Sequence, residues 1–197
     1  MLAYKGFTKE LTATLGKGVF KFEVGKTYTE EECKTARNGF HCCENPFECL
    51  TYYPLGGKNR FFLVDAAGNI DEDEQERIAC TEMTLLKELT LKEFAGHGMM
   101  YMVKHPQRGN WKQMRAHCTV EADQADSDHE NDIAIARGKN PLVRGVIGSI
   151  LGLLREYNGE IFAARLIEID GIQYQPHKWY TVDEDGAVVT YDEEVAI

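Results

Sequence analysis

The side chains with the strongest intrinsic chemistry lie in one short stretch: Cys33, His41, Cys42, Cys43 and Cys49. Thiolate and imidazole are the usual zinc ligands, and structural zinc sites draw on cysteine pairs two to four residues apart. No such pair occurs here, and the adjacent Cys42 and Cys43 point apart in an extended chain. These cysteines therefore read as small buried apolar groups rather than a metal site. Nucleophilic catalysis by Cys42 or Cys43 beside His41 is no better supported. Folding, not adjacency, brings nucleophile and base together, and no third orienting group stands out. Serine chemistry has little footing. The only serines are Ser127 and Ser149, and the run Gly148-Ser149-Ile150-Leu151-Gly152 lacks the G-x-S-x-G pattern.

The carboxylates are clustered. Asp71, Glu72, Asp73, Glu74 and Glu76 form one group. Glu121, Asp123, Asp126, Asp128, Glu130 and Asp132 form a second, and Asp183, Glu184, Asp185, Asp192, Glu193 and Glu194 a third. Counted from Asp126, the second group alternates like a calcium loop. The glycine and glutamate such a loop requires are replaced by Asn131 and Arg137, so it reads as a solvated acidic loop. Gly145, Gly148 and Gly152 precede no Lys-Ser/Thr pair and make no phosphate loop. No cofactor signature emerges. The formal net charge is -10. Such a field repels nucleic acid and favours a basic partner, with the first two acid groups as the candidate binding surface. Aromatic residues are not interleaved with Lys and Arg as a base-stacking platform would need. The chief basic stretch is Lys104, Arg108, Lys112 and Arg115.

The elements that position these residues are marked by local signals. Thr29 with Glu32 predicts a helix start and Asn38-Gly39 its stop. Asn45-Pro46-Phe47-Glu48 predicts a second helix, with Asn45 as cap and Pro46 in the first turn. Alternation predicts strands at Phe20–Val24 and at Arg60–Val64, the latter ended by Gly68-Asn69, and a third strand at Ile78–Met83. Thr90 with Glu93 opens the best helix, whose apolar face is Leu91, Phe94, Ala95, Gly98, Met99, Met102 and Val103, and Pro106 ends it. Beyond Cys118 the pattern turns to strands. Ile133–Arg137 precedes a turn at Gly138-Lys139-Asn140-Pro141. Residues 142–154 read as a buried strand pair or a tightly turning β-layer, because each glycine would cost a helix roughly 1 kcal/mol. Asn158-Gly159, Asp170-Gly171 and Asp185-Gly186 predict hairpin turns between strands at Glu160–Ile169, Trp179–Val182 and Val188–Tyr191.

The expected fold class is therefore α+β: a mixed N-terminal module with short helices over 1–104, a basic connector over 105–117, and a β-rich C-terminal module over 118–197. Hydrophobic content of 43% and charged content of 27% suit a globular protein. The start Met1–Gly6 lacks the apolar core of a signal peptide, and the apolar stretch 141–154 falls short of the ~20 residues that span a bilayer. The expected location is the cytoplasm, where the cysteines stay reduced.

The runs Ala3-Tyr4-Lys5-Gly6-Phe7, Glu23-Val24-Gly25-Lys26-Thr27-Tyr28 and Asn38-Gly39-Phe40-His41-Cys42, with Pro46 and Tyr52-Tyr53, resemble an uncharacterised family of phage and prophage proteins. The likeness continues weakly through Ile78-Ala79-Cys80 and the helix from Leu91, and returns at Gly159-Glu160-Ile161, Asp170-Gly171 and Trp179-Tyr180. It implies a phage-related origin and supplies no catalytic residue. Joined to the charge, it leads to the expectation of a non-enzymatic accessory protein acting in the host cytoplasm. Its partner would be a host macromolecule. An anti-CRISPR-like inhibitor occupying the basic channel of a nuclease is one form of this. Two other readings stay open. The order Tyr-Lys-Gly, Val-Gly-Lys-x-Tyr, Gly-Phe-His, short helix, Arg60–Val64 is similar to ADP-ribosyltransferase-like folds, without their Ser-Thr-Ser segment or Glu-x-Glu pair. That similarity implies NAD in a cleft near Tyr4 and His41, with Glu82 as a further residue. The third reading is a structural or assembly role in which the β-rich half stacks into an oligomer.

Overall fold

In the computed structural model, residues 1–13, 18–73 and 77–191 are described. The chain divides into two compact units, Met1–Thr90 and Leu91–Ile197. Strands account for 51% of the description and helix for 11%. The fold is therefore β-rich, which corrects the expected α+β class with a helix-bearing N-terminal module. No helix among the described residues is long and apolar enough to cross a membrane.

The first unit contains β1 (Leu2–Phe7), β2 (Thr12–Ala13), β3 (Phe20–Lys21), β4 (Thr27–Thr29), β5 (Phe40–Cys43), a 3-10 helix (Pro46–Thr51), β6 (Arg60–Glu72) and β7 (Arg77–Leu89). The main sheet runs β4-β7-β5-β1-β6, and β6 pairs back onto β7. Four strands thus close a ring, which removes all sheet edges but those that β4 covers or leaves. Its interior holds Ala3, Phe7, Cys42, Phe62, Val64, Ile78, Cys80 and Met83, with Phe22 and Phe40 packed against them. Phe7 meets Phe22 and Phe62 edge-on at 5.1 and 5.5 Å, the geometry that aromatic quadrupoles favour.

Three local expectations fail here for identifiable reasons. No helix follows Thr29. Thr29 instead pairs with Glu82, and Ala36 takes a φ of 61°, which a helix does not permit. The Asp71 carboxylate then binds the loop, taking the Thr35 amide at 2.8 Å and the Lys34 ammonium at 2.5 Å. Gly68-Asn69 does not end β6. It forms a bulge within it, between Ala67 and Ile70, because Thr81 Oγ1 accepts the Asn69 amide at 2.9 Å. A Cβ on Gly68 would fall 2.2 Å from that oxygen. The strand at Phe20 is short, with only Phe20–Lys21 paired, to β2. The second predicted helix does form, as a 3-10 turn capped by Asn45 Oδ1, which accepts from the Phe47 amide at 3.1 Å.

The second unit contains α1 (Leu91–Lys104), β8 (Gln113–Arg115), β9 (Cys118–Asp126), β10 (Ile133–Arg144), β11 (Ile150–Tyr157), β12 (Glu160–Glu168), β13 (Trp179–Val182) and β14 (Val188–Tyr191). The helix and the stretch read as a connector both fall in this unit, where β8 pairs with β9. Strands β9, β10 and β11 run parallel, with Cys118, Ile133 and Ile150 in register. Their connections are too short for the crossover helix that parallel neighbours ordinarily use. The chain coils instead. β9 bends at Asp123 (φ 63°), and β10 shifts register between Arg137 and Leu142. The predicted turn Gly138-Lys139-Asn140-Pro141 is thus a corner inside β10. A Cβ on Gly138 would lie 2.1 Å from Asp123 Oδ1, so a larger residue at this corner would have to displace the Asp123 carboxylate.

The first five residues of β10 and of β11 are buried on both faces, whereas β9 is buried only at alternate positions such as Cys118 and Val120. Ala134, Ala136, Leu151 and Leu153 join Val143, Ile167 and Tyr180 in one cluster. On the other face Gly152 admits Met99 of α1, with a Cβ position only 2.7 Å from its sulfur. The face of α1 predicted from its period is the buried one at Phe94, Ala95, Gly98, Met99 and Met102. Asn158 and Gly159, at φ 52° and 79°, turn β11 into β12. Asp185-Gly186 turns β13 into β14. Asp170-Gly171 forms no hairpin, since β13 pairs with β10. Asp170 Oδ1 instead accepts the amides of Ile172, Gln173 and Tyr174 and holds a loop.

Candidate ligand cavity in the first unit

Strand β1 alternates Ala3, Lys5 and Phe7 toward the interior of the ring, and so carries a lysine into an apolar core. Lys5 is 8% exposed. Its Nζ donates to the His41 carbonyl at 2.5 Å and lies 5.5 and 5.9 Å from the Phe7 and Phe22 ring centroids. No carboxylate among the described residues pairs with it. The reason that carbonyl is available lies in the register: β1 meets β5 at one paired position, Tyr4 with Cys43. Desolvation pushes the Lys5 pKa down, while the Cys42, Cys49, Cys43 and Cys80 thiols around it oppose that shift.

The thiols form two hydrogen-bonded pairs on opposite sides of β5, as neighbours in a strand must. Cys42 bonds Cys80, and Cys49 bonds Cys43. Cys42 is raised well above the ordinary thiol range by its bond to Cys80 and by burial. Cys80 is lowered by the same bond and by Lys5. Burial and the bond to Cys43 raise Cys49. His41 is half-buried, and its Nε2 accepts the Ala36 amide at 3.1 Å. Desolvation and the neighbouring Lys5 push its pKa down, favouring the neutral ring.

A cavity of about 610 Å³ opens along this seam. Tyr4, Lys5, His41, Tyr52, Tyr53 and Arg77 line it together with the 36–39 loop. Its volume lies within the range of small-molecule sites, and its lining sets aromatic rings beside the charged or polar Lys5, Glu30, Arg37, Asn38, His41 and Arg77. Gly6 is part of the construction: a Cβ there would stand 2.6 Å from Tyr53, so the ring reaches the strand only over glycine. Arg77 is held by Asp73, at 2.7 Å from Nε and 2.5 Å from Nη2. Burial raises the Tyr4 phenol pKa.

The residues singled out by sequence are distributed unevenly around this cavity. His41, Cys42, Cys43 and Cys49 line it. Cys33 does not, and its thiol donates to the Asn69 carbonyl at 3.2 Å. Tyr4 lines the cavity, whereas Glu82, on β7 opposite Thr29, does not. No group of three or more His, Cys, Asp or Glu among the described residues is placed to hold a metal. Cys118 is buried in the second unit, and burial pushes its thiol up to about 12. The serines do meet: Ser127 and Ser149 hydroxyls are 3.0 Å apart, buried at a coil turn.

The acidic residues do not form one uniform surface. Asp71 is bound to Lys34 and Thr35, and Asp73 to Arg77. Glu72 is exposed, and Glu74 lies outside the described residues. Asp126 pairs with Arg144 at 2.9 Å, and Glu121 reaches Lys112 at 3.9 Å. Asp132 is buried, with His117 Nδ1 at 2.6 Å and His129 Nδ1 at 3.6 Å. Asp123, Asp128 and Glu130 are exposed. In the basic stretch, Arg108 donates to the Tyr101 hydroxyl and Arg115 to Gln113. Sequence reasoning missed Lys5 as a site residue, and with it the Cys42–Cys80 pair. The available signal was a lysine on the inward register of a strand whose other inward residues are Ala3 and Phe7.

Residues 1–97, just under half of the chain, match the model of a family described as a domain of unknown function, DUF7666. No curated protein and no solved structure matches the chain.

Proposed function

We propose that the first unit is a receptor for a small anionic ligand with a planar apolar part. One observation carries this reading: a buried lysine, with no carboxylate paired to it among the described residues, lines a cavity of about 610 Å³. An unpaired buried cation is costly, and an anion entering the cavity offsets that cost. The aromatic rings of Tyr4, Tyr52 and Tyr53 supply faces for a planar group, and Arg37 lines the cavity with Glu30 and the Asp73-paired Arg77. Calorimetry on the intact protein with pyridoxine 5′-phosphate, adenosine 5′-monophosphate and NAD tests the proposal. NAD is included because Tyr4 and His41, the residues implied by the transferase likeness, line the cavity. Saturable binding of one probe, weakened at least tenfold in Lys5→Met, is the expected result. Absence of heat with all three would sink the reading.

The second reading is an acidic surface that occupies a basic channel of a host macromolecule, as a phage-derived anti-defence protein would. It rests on the net charge and on exposed Asp123, Asp128 and Glu130. Its support is narrower than the composition implies, because Asp71, Asp73, Asp126 and Asp132 are engaged within the protein. Capture of a basic partner that is lost on raising salt, and weakened by Asp123→Asn with Asp128→Asn and Glu130→Gln, is its expected signature. Capture that is insensitive to salt would count against it.

A further inference from the structure

Lys5 has a second capability, which rests on the ligand-receptor reading and deepens it. We infer that Lys5 is a covalent capture site, forming an imine with an aldehyde or ketone carried on an anionic aromatic ligand. Three geometric facts support this. Lys5 is among the residues that line the cavity, beside Tyr4, Gly6 and His41. Among the described residues its hydrogen-bond partner is a backbone carbonyl, an acceptor that serves a neutral amine as well as an ammonium. Among the described residues no carboxylate is paired with it to hold a proton there, Glu30 being a lining residue of the cavity without an ion pair to Lys5. Burial acts in the same direction, since desolvation favours the uncharged amine, and a desolvated lysine in an apolar pocket is the activated form of this nucleophile.

The chemistry balances without an oxidant or reductant. The nitrogen lone pair attacks the carbonyl carbon, and the C=O π pair moves to oxygen. One nitrogen-bound proton transfers to that oxygen, giving a carbinolamine. The nitrogen lone pair then expels the oxygen, which departs as water after taking a second proton, and a C=N bond replaces C=O. The reaction is reversible, and the water leaves by the cavity mouth.

The test uses the intact protein and pyridoxal 5′-phosphate, which joins an aldehyde to an anionic aromatic ring. The protein is treated at neutral pH with less than one equivalent, reduced with borohydride and mapped by peptide mass. The label is expected at Lys5, in excess over solvated lysines by about tenfold for each unit by which its pKa lies lower. Lys5→Met is expected to lose that label. Should that variant fail to fold, competition replaces it: pyridoxine 5′-phosphate, which has no aldehyde, is expected to protect Lys5 and no other lysine. Label scattered over exposed lysines with no excess at Lys5 overturns the inference. If pyridoxine 5′-phosphate still binds in that case, the receptor reading stands and only the covalent step falls. If it does not bind either, both fall.

Discussion

The ammonium of Lys5 hydrogen-bonds the backbone carbonyl of His41 across a seam where β1 and β5 share one paired position, Tyr4 with Cys43. A side chain thus takes the place of a missing rung of the strand ladder, in the lining of the cavity. This contact makes the cavity and the stability of the ring depend on the same charge.

The first consequence is a pH dependence. Burial lowers the Lys5 pKa, whereas in the unfolded chain it titrates near ~10.4. Between the two values the unfolded state binds more protons, so stability rises with pH through that window. Below the folded value both states are charged and the full desolvation cost remains. We expect the denaturant midpoint of the wild type to rise relative to Lys5→Met from pH 7 to 10. A difference that stays flat across this range would contradict a depressed Lys5.

Asp71 has the opposite sign. Its bonds to Lys34 and Thr35 lower its pKa, so its contribution is present above the ordinary aspartate range and is lost as pH falls below it. Asp71→Asn is expected to remove that acid-side loss and to speed hydrogen exchange at the Thr35 amide at neutral pH. An unchanged exchange rate would show that the loop is held by other contacts.

Ser149 is fully buried, and its Oγ accepts the Val146 amide at 3.1 Å while sharing a hydrogen bond with Ser127. Ser149→Ala leaves that amide unpaired, at a cost of about 1–3 kcal/mol. Ser127→Ala is expected to cost less, and the double variant less than the sum, because the two hydroxyls share one bond. Additive losses in chemical denaturation would show that the pair is not coupled.

Gly152 is where α1 meets the coil. A Cβ there would stand 2.7 Å from Met99 Sδ and 2.8 Å from Ile135 Cγ1. Gly152→Ala is expected to destabilise by about 1–3 kcal/mol through overpacking. Gly109→Ala is the control, with nothing within 4 Å of its Cβ position, and is expected to be close to neutral. Equal melting shifts for the two variants would refute tight packing at Gly152.

Features decided within a few residues were legible in the sequence. The period of Leu91–Lys104, the Asn45 cap and the turns Asn158-Gly159 and Asp185-Gly186 each follow from backbone propensity and a side chain close by. The sequence by itself also determined that residues 142–154 are not helix, because glycine spacing penalises one there; they form the end of β10, a turn and the start of β11. Only the tertiary structure decided what those strands do. Whether Gly138–Pro141 ends a strand or bends it depends on the corner it shares with Asp123, and whether Thr29 caps a helix depends on Glu82 being beside it. The same holds for the site. Lys5 is an ordinary strand residue in sequence, and becomes a buried amine with no carboxylate paired to it among the described residues because β6 returns to β7 and closes the ring around it. Long-range pairing sets desolvation, and desolvation is what separates a solvated lysine from a reactive one.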